Sequence, residues 1–216
     1  MVRSEGDVAL IERVMRHLAP HYGAARFVYH DLQNDFVHVD VHVVLPSDAS
    51  GTTTLFTTGM SERYMTAPPS VPSASYARTA ELVLTLPGVW PTDEASLVEP
   101  TVFWPYAWLR YLARFPFRNK TFLASGHTVP IAHDPRAPRP PCPFAGVLLR
   151  YPHRLGDAAM MARGDGPEQT IFLAALPLFA SELALARAEG FRGLLARFAE
   201  ANVDPELADV SRRPVV

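Results

Sequence analysis

Three features that would quickly assign a protein to a functional class are scarce or missing in this sequence: cysteine, long apolar runs and an excess of positive charge. The 216 residues include a single cysteine, Cys142, which excludes an internal disulfide and a zinc site of several thiolates. The apolar run IFLAALPLFA is too short to span a bilayer, and the N-terminus lacks the apolar core of a signal peptide. The net charge of −2 gives no general attraction to nucleic acid or anionic membranes. We therefore expect a cytoplasmic protein that binds neither.

Short motifs with a known mechanism are also missing. The sequence contains no glycine-rich phosphate loop, no dinucleotide-binding fingerprint and no metalloprotease motif. It has no internal repeat and no heptad pattern, which argues against a solenoid or a coiled coil. We accordingly expect no cofactor.

What the sequence does contain is enough apolar material for one packed domain. Apolar residues make up 48% of the chain, so we expect a single domain over residues 1–216. Apolar and β-branched runs predict strands over 25–31, 36–44, 52–58, 78–87, 144–152 and 170–179. Helical spacing predicts helices over 8–20, 104–115 and 182–202. Because strands occur in groups with helices at the ends and in the middle, we predict an α+β fold with one mixed, largely antiparallel sheet flanked by helices.

Polar residues indicate where these elements begin and turn. Ser4 with Asp7 fits a capping box before the first helix, and Ser181 fits the cap of the last helix. Asn34 and Asp35 fit a hairpin turn between the first two strands.

The run HVDVHVV places His38, Asp40 and His42 at alternate positions of a predicted strand, so their side chains share one face. Imidazole and carboxylate groups bind zinc or iron. Residues i and i+4 of a strand nevertheless lie roughly 13 Å apart, so all three cannot bind one ion. A metal site would need a ligand from a neighbouring strand, such as His30. We favour a solvated or hydrogen-bonded polar face and expect no bound metal.

The turn TTGMSER contains Gly-x-Ser but lacks the second glycine of a nucleophile elbow, where Arg63 stands instead. Ser61, Glu81 and His127 could still form a triad, because triads are defined by geometry rather than by order in the chain. His127 is the best candidate for a general base, although loop histidines more often bond to backbone. A turn is the simpler interpretation of Ser61. A hydrolase-like enzyme is therefore the alternative function.

The middle helix has an apolar face and a basic stripe. The apolar face predicts tight packing, and its members are Trp104, Trp108, Tyr111, Leu112 and Phe115. The basic stripe consists of Arg110, Arg114, Arg118 and Lys120. Such a stripe could meet an acidic protein or a nucleic acid, but a solvated helix face is the more ordinary interpretation.

Several segments together resemble the bacterial suppressor of fused family. In order they are VHVDVHVVLP, FTTGMSERYM, AELVLTLPGVW, WPYAWLRYLARFP, ASGHTVP, FAGVLL and FLAALPLFASELALARAEG. The resemblance covers about residues 25–200, and its most specific part is Thr57 to Met65. Tyr64 departs from the family, in which a proline is common at this position.

This resemblance implies an α+β domain like the N-terminal half of the animal Hedgehog-pathway regulator, which holds a transcription factor peptide and is not an enzyme. For bacterial members it implies an immunity protein that neutralises a toxin by direct binding. It implies no catalytic residues and no metal on the His-Val-Asp run. Because loops on a rigid scaffold often carry recognition residues, we expect a partner-facing surface at the two family-typical loops. Its predicted members are Thr58, Gly59, Met60, Ser61, Arg63, His127 and Thr128.

Overall fold

A computed structural model describes residues 7–30, 36–48, 50–72, 77–139, 141–156, 160–163 and 169–216. Its centre is one sheet of eight strands. The strands are β1 (Phe27–Tyr29), β2 (Asp40–Val44), β3 (Thr52–Thr58), β4 (Thr79–Pro87), β5 (Thr128–Val129), β6 (Gly146–Arg150), β7 (Met161–Arg163) and β8 (Gln169–Leu178). The helices are α1 (Val8–Tyr22), α2 (Pro100–Asn119), α3 (Ala180–Glu189) and α4 (Phe191–Glu200).

The strand order is β1-β2-β3-β4-β8-β6-β5, and β7 pairs with the beginning of β8. The central pair β4 and β8 is parallel, whereas the other neighbouring strands are antiparallel. The predicted α+β fold with a mixed, largely antiparallel sheet is therefore confirmed.

Helices cover both faces of the sheet. Helix α2 packs on one face, where Val41, Leu84 and Leu173 belong to the same apolar core as Trp104. Helix α1 and then α3 and α4 pack on the opposite face, against alternate residues of the same strands. Because both faces are covered, the central strands β4 and β8 are apolar at nearly every position.

Helix α2 confirms the predicted apolar face. Trp104, Trp108, Tyr111 and Leu112 are buried, and Phe115 is half-buried. The helix starts earlier than predicted, at Pro100, because proline is well tolerated in the first turn.

The predicted single helix over 182–202 is wrong. The chain forms two helices separated at Gly190, whose φ of 81° is outside the helical range. The buried apolar residues of these two helices are Leu183, Ala186, Leu194 and Phe198, whereas Ala184 and Ala188 are exposed. Ser181 is not the cap of α3. Phe179 holds that position, and its N–H donates to the Glu182 carboxylate at 2.9 Å.

Other predictions concern the termini and turns. Asp7 caps α1 by accepting from the Leu10 N–H at 3.1 Å. Ser4, Asn34 and Asp35 lie outside the described residues. Strand β5 falls within a segment that the sequence marked as a loop, and β7 was missed because three residues carry almost no periodic signal. Among the described helices, none is long and apolar enough to cross a membrane.

Candidate functional site

The turn after β3 is organised by a buried carboxylate. Glu81 lies on β4 and is fully buried. Its carboxylate accepts from the Ser61 hydroxyl at 2.5 Å, the Ser61 N–H at 2.9 Å and the Thr57 hydroxyl at 2.6 Å. Burial raises the pKa of Glu81 to about 7, although the three hydrogen bonds act in the opposite direction. These hydrogen bonds therefore attach the turn to β4 of the sheet.

The hypothetical triad is only partly assembled. Ser61 and Glu81 are in contact, but Ser61 is buried and its hydroxyl is engaged by the carboxylate rather than by an imidazole. His127 packs against Phe122, with ring centroids 4.9 Å apart. Burial lowers the pKa of His127, and a hydrogen bond with the Phe122 backbone opposes this. In the described structure, no hydrogen bond joins His127 to Ser61 or Glu81.

Gly59 explains why this turn has its particular sequence. Its φ is 100°, in the region that favours glycine. A Cβ atom at this position would lie 1.8 Å from the carbonyl oxygen of His38. The backbone of the turn thus approaches the segment just before β2 too closely for a side chain at position 59.

Much of the predicted partner-facing surface lies in the interior. Thr58, Gly59, Met60 and Ser61 are buried, so none of them can serve as a contact surface in this conformation. Family-typical residues here maintain the turn. Arg63 is exposed, with its guanidinium 5.6 Å from the ring centroid of Phe117.

The loop that precedes β5 is more accessible than the turn. His127 and Thr128 are both half-buried. Binding of a partner through Arg63, His127 and Thr128 stays a prediction.

The polar face predicted for His38, Asp40 and His42 is hydrogen-bonded and largely buried. His42 is 2% exposed, bonds to Thr58 Oγ1 at 2.9 Å and stacks on Phe56. Burial lowers the pKa of His42 to about 4, so its ring is neutral at pH 7. Asp40 is buried too, and its neighbours are His38 and His30. Of the two predicted alternatives, a solvated or a hydrogen-bonded face, the hydrogen-bonded one is present, because α1 packs on this side of the sheet.

The basic stripe is not a uniformly solvated face. Arg114 is 4% exposed and donates to the Val37 carbonyl oxygen at 3.3 Å, which corrects the expectation of a surface position. Arg118 lies beside the rings of Phe36 and Tyr111. The Arg110 guanidinium lies 5.8 Å from the ring centroid of Tyr29. These arginines therefore contact residues that pack around α2.

An apolar groove, missed by the sequence analysis, lies beside β1 at one end of the sheet. It has a volume of about 800 Å³. Its floor is aromatic: Tyr29 of β1 lies 5.2 Å from Phe103 and 5.7 Å from Tyr106 of α2, measured between ring centroids. Phe27 is 48% exposed and Val98 is 75% exposed. The groove therefore presents apolar surface to solvent along an edge strand.

The rim of the groove is acidic. Asp93 and Glu94 line it and are exposed. Hydrogen bonds from the Ser96 hydroxyl and N–H lower the pKa of Asp93, which keeps this carboxylate charged. The Tyr106 hydroxyl is buried and has no hydrogen-bond partner among the described residues. The sequence signal for this groove was the run of three apolar residues Phe27–Tyr29, since a strand with one solvated face would alternate.

Comparison with known proteins agrees with this architecture. The family model of the suppressor of fused protein (SUFU) matches residues 35–213. The match extends beyond the predicted limit at residue 200, because the C-terminal segment is part of the fold: the Ala208 N–H donates to the Thr85 carbonyl of β4 at 2.8 Å. No curated protein matches the chain by sequence.

Solved structures share the fold at low sequence identity. A SUFU homologue from Neisseria gonorrhoeae FA 1090 has 15% identity and a TM-score of 0.64, covering 97% of this chain and 98% of its own. The Sufu-Fu complex matches with 15% identity and a TM-score of 0.60, covering 96% of this chain and 91% of that one. Drosophila Suppressor of Fused has 15% identity and a TM-score of 0.62, but the 95% of this chain that aligns spans 51% of the fly protein.

Proposed function

The chain belongs to the suppressor of fused family, and from this premise we propose that it is a non-catalytic protein-binding domain whose partner docks in the groove beside β1. The finer part of the proposal is that the partner is a toxin domain, which the protein neutralises by occupying a surface that the toxin needs. The cytosolic location expected from the sequence stays a prediction.

The observation that carries the proposal is the exposed apolar groove on an edge strand. Large contiguous apolar patches are uncommon on monomeric proteins and often mark interaction sites. Strand β1 pairs with β2 alone among the described strands, so its other side is available to an extended segment of a partner. Phe27 and Tyr29 provide apolar contacts at the same place.

The charges of the rim define the partner more closely. Asp93 and Glu94 would attract a lysine or arginine of the partner. The expected ligand is an extended protein segment that carries apolar side chains and at least one basic residue. One similar fold was solved as the Sufu-Fu complex, so a protein of this fold can hold another protein.

The alternative of a hydrolase has less support from the geometry. A nucleophilic serine needs a base that removes its proton. The Ser61 hydroxyl does donate to a carboxylate, that of Glu81, but Ser61 is buried away from solvent, and His127 packs against Phe122. A hydrogen-bond role within the turn accounts for both Ser61 and Glu81.

The experiment compares four purified proteins as baits in a lysate of the native host. They are the wild type, a groove variant (Phe27→Asp with Val98→Asp), a loop variant (Arg63→Ala with His127→Ala) and the control Val8→Asp. Val8 is 63% exposed on α1, on the opposite face of the sheet. Mass spectrometry identifies the proteins that the wild type and control capture and the groove variant loses. Each candidate is then purified, and its affinity for all four baits is measured.

We expect the groove variant to bind the purified partner at least tenfold more weakly than the control, with an unchanged melting temperature. If only the loop variant loses affinity, the binding face is the predicted loop surface and the groove proposal is wrong. For the toxin role, expression of the partner alone should arrest growth, and co-expression of the wild type but not of the groove variant should restore it. A partner that is harmless when expressed alone would contradict the toxin part and leave the binding part intact.

A further inference from the structure

A cluster of two histidines and an aspartate lies apart from the groove, on the α1 face of the sheet. Strand β1 pairs with β2 so that Tyr29 lies opposite Val41, and the next residue, His30, therefore reaches Asp40. His30 Nδ1 is 3.1 Å from Asp40 Oδ2, and His38 Nε2 is 3.0 Å from Asp40 Oδ1. One ligand atom from each residue lies within 4.8 Å of the other two.

We propose that His30, His38 and Asp40 form a binding site for a divalent transition metal ion of the zinc type. This set differs from the row His38, Asp40 and His42, because His30 comes from a neighbouring strand while His42 turns to Thr58. Two imidazoles and one carboxylate are ordinary ligands for zinc, iron(II) and cobalt(II), and disfavour magnesium and calcium, which prefer oxygen ligands.

The distances suit such an ion. Ligand atoms that are 2.0–2.1 Å from a tetrahedral zinc lie about 3.3 Å from one another. The two histidine-to-aspartate distances, 3.1 Å to Oδ2 and 3.0 Å to Oδ1, are close to this value, although they involve different oxygens of Asp40. Binding therefore requires the three ligand atoms, which now lie within 4.8 Å of one another, to converge on the ion.

The surroundings also favour a cation. Asp40 Oδ1 is buried and has no hydrogen bond of good geometry among the described residues, although His38 Nε2 lies close to it. Such an atom is an available electron-pair donor. Glu62 lies close enough to Asp40 and His38 to interact with their charges, which adds a second carboxylate to the neighbourhood. His30 is exposed, so an ion can enter from solvent.

Three protein ligands leave at least one position of the ion open for water. The ion would also tie the end of β1 to β2, at the edge of the sheet. Metal binding should therefore raise the melting temperature as well as load the site, because a ligand that binds only the folded state stabilises it.

The test uses chelator-treated full-length protein and metal ions alone. Titration calorimetry with zinc chloride should give one ion per chain, and cobalt(II) should produce visible absorption bands characteristic of nitrogen and oxygen ligands. His30→Gln and His38→Gln should each weaken zinc binding by at least tenfold and abolish the zinc-dependent rise in melting temperature. Magnesium at the same concentrations should have no effect.

The matched control is His153→Gln. His153 Nδ1 lies 2.7 Å from a Glu206 carboxylate oxygen, so it reproduces the histidine-carboxylate pair without belonging to the three-residue cluster. This variant should bind zinc as the wild type does. Because His30 is exposed, His30→Gln should fold even if the His38 variant does not. Absence of stoichiometric binding at about 100 μM zinc, or equal affinity in the His30 variant and the wild type, would overturn the proposal.

Discussion

The hydroxyl of Ser61 donates to the carboxylate of Glu81 across 2.5 Å, in the interior and between a turn and a strand. In an enzyme, the same two residue types could activate a nucleophile. Here the pair is buried, and the Glu81 carboxylate accepts three hydrogen bonds from β3 and from the turn that follows it. The pair fixes the family-typical turn in place, and its removal should be visible in stability before anything else.

The pH dependence of stability should report on Glu81. Its pKa is about 7 in the folded protein against 4.5 as the reference value, so the native state binds more protons than the unfolded state between these values. The contribution of Glu81 to the free energy of unfolding is therefore fully present below pH 4.5 and is lost as the pH rises through 7. Relative to Glu81→Gln, the wild type should lose roughly 3 kcal/mol of unfolding free energy between pH 4.5 and 8. Denaturant titrations across this range measure it, and a pH-independent difference would contradict it.

Ser61→Ala should destabilise the protein without affecting partner binding. The substitution removes one donor from a buried carboxylate, at a cost of about 1–3 kcal/mol. Ser211→Ala is the matched control, because Ser211 is exposed and its hydroxyl donates to the Asp209 carboxylate at 2.6 Å. The control should change the unfolding free energy by about 0.5 kcal/mol or less. Equal losses of unfolding free energy for the two variants in urea titrations would contradict this interpretation. Hydrolysis of an ester that depends on Ser61 would contradict it too.

The central strands and helix α2 were predictable because their apolar patterns extend over many residues. Residues 78–87 and 170–179 are apolar runs bounded by turn-forming residues, and both became central strands with almost the predicted bounds. The apolar residues of α2 recur at helical spacing over several turns, so the sequence also predicted the buried face of this helix. The break at Gly190 was not predicted, since a glycine inside a helical pattern is often tolerated.

The site was less predictable because burial depends on distant parts of the chain. Alternation in 36–44 cannot reveal that α1 packs on the polar side, so the sequence left open whether His42 is solvated or buried in a hydrogen bond. The contact of His30 with Asp40 depends on the pairing of β1 with β2. The groove combines β1 with residues 92–98 and α2, which no local pattern brings together. Local sequence identified the turn residues, but not whether they face solvent.

Truncations in α2 should separate core from surface. Trp104→Ala and Trp108→Ala should each cost roughly 3–5 kcal/mol, because both side chains are buried. Arg114→Ala should cost about 1–3 kcal/mol, since it removes a buried donor to the Val37 carbonyl. Arg192→Ala, at an exposed position of α4, serves as the control and should stay within about 0.5 kcal/mol. Chemical denaturation ranks the four variants, and an Arg114 variant as stable as the Arg192 variant would show that this arginine is not structural.

Gly59→Ala should be far more damaging than Gly51→Ala. Both glycines have positive φ, 100° and 58°, so both substitutions carry backbone strain. At Gly51 a Cβ meets nothing within 4 Å, whereas at Gly59 it would collide with the His38 carbonyl. Gly51→Ala should cost about 1 kcal/mol and Gly59→Ala several times more, because the turn must move away from β2. Thermal melts of the two variants measure the difference, and similar melting temperatures would contradict the close approach.

The C-terminal segment should depend on Arg212. Its guanidinium binds both carboxylate oxygens of Glu182, at 2.6 and 2.8 Å, and also donates to the Pro177 carbonyl at 3.0 Å. The two side chains are 8% and 0% exposed. Removing one partner of a buried pair leaves an uncompensated charge, so Arg212→Ala should cost about 3–5 kcal/mol. Arg212→Lys should restore only part of the lost unfolding free energy, because lysine cannot form the bidentate contact with Glu182.

The exposed pair of Arg197 and Glu200, 3.1 Å apart in α4, provides the control for that prediction. Arg197→Ala should change the unfolding free energy by about 0.5 kcal/mol or less. Hydrogen exchange adds a local measurement: the amide of Ala208, which donates to β4, should lose protection in Arg212→Ala but not in Arg197→Ala. If Arg212→Ala is as stable as the control and Ala208 keeps its protection, the other contacts of the C-terminal segment, such as the pair of Arg154 with Asp204, are sufficient to hold it. The predicted loss would instead mean that the segment beyond residue 200, which the family match includes, depends on the buried pair of Arg212 and Glu182.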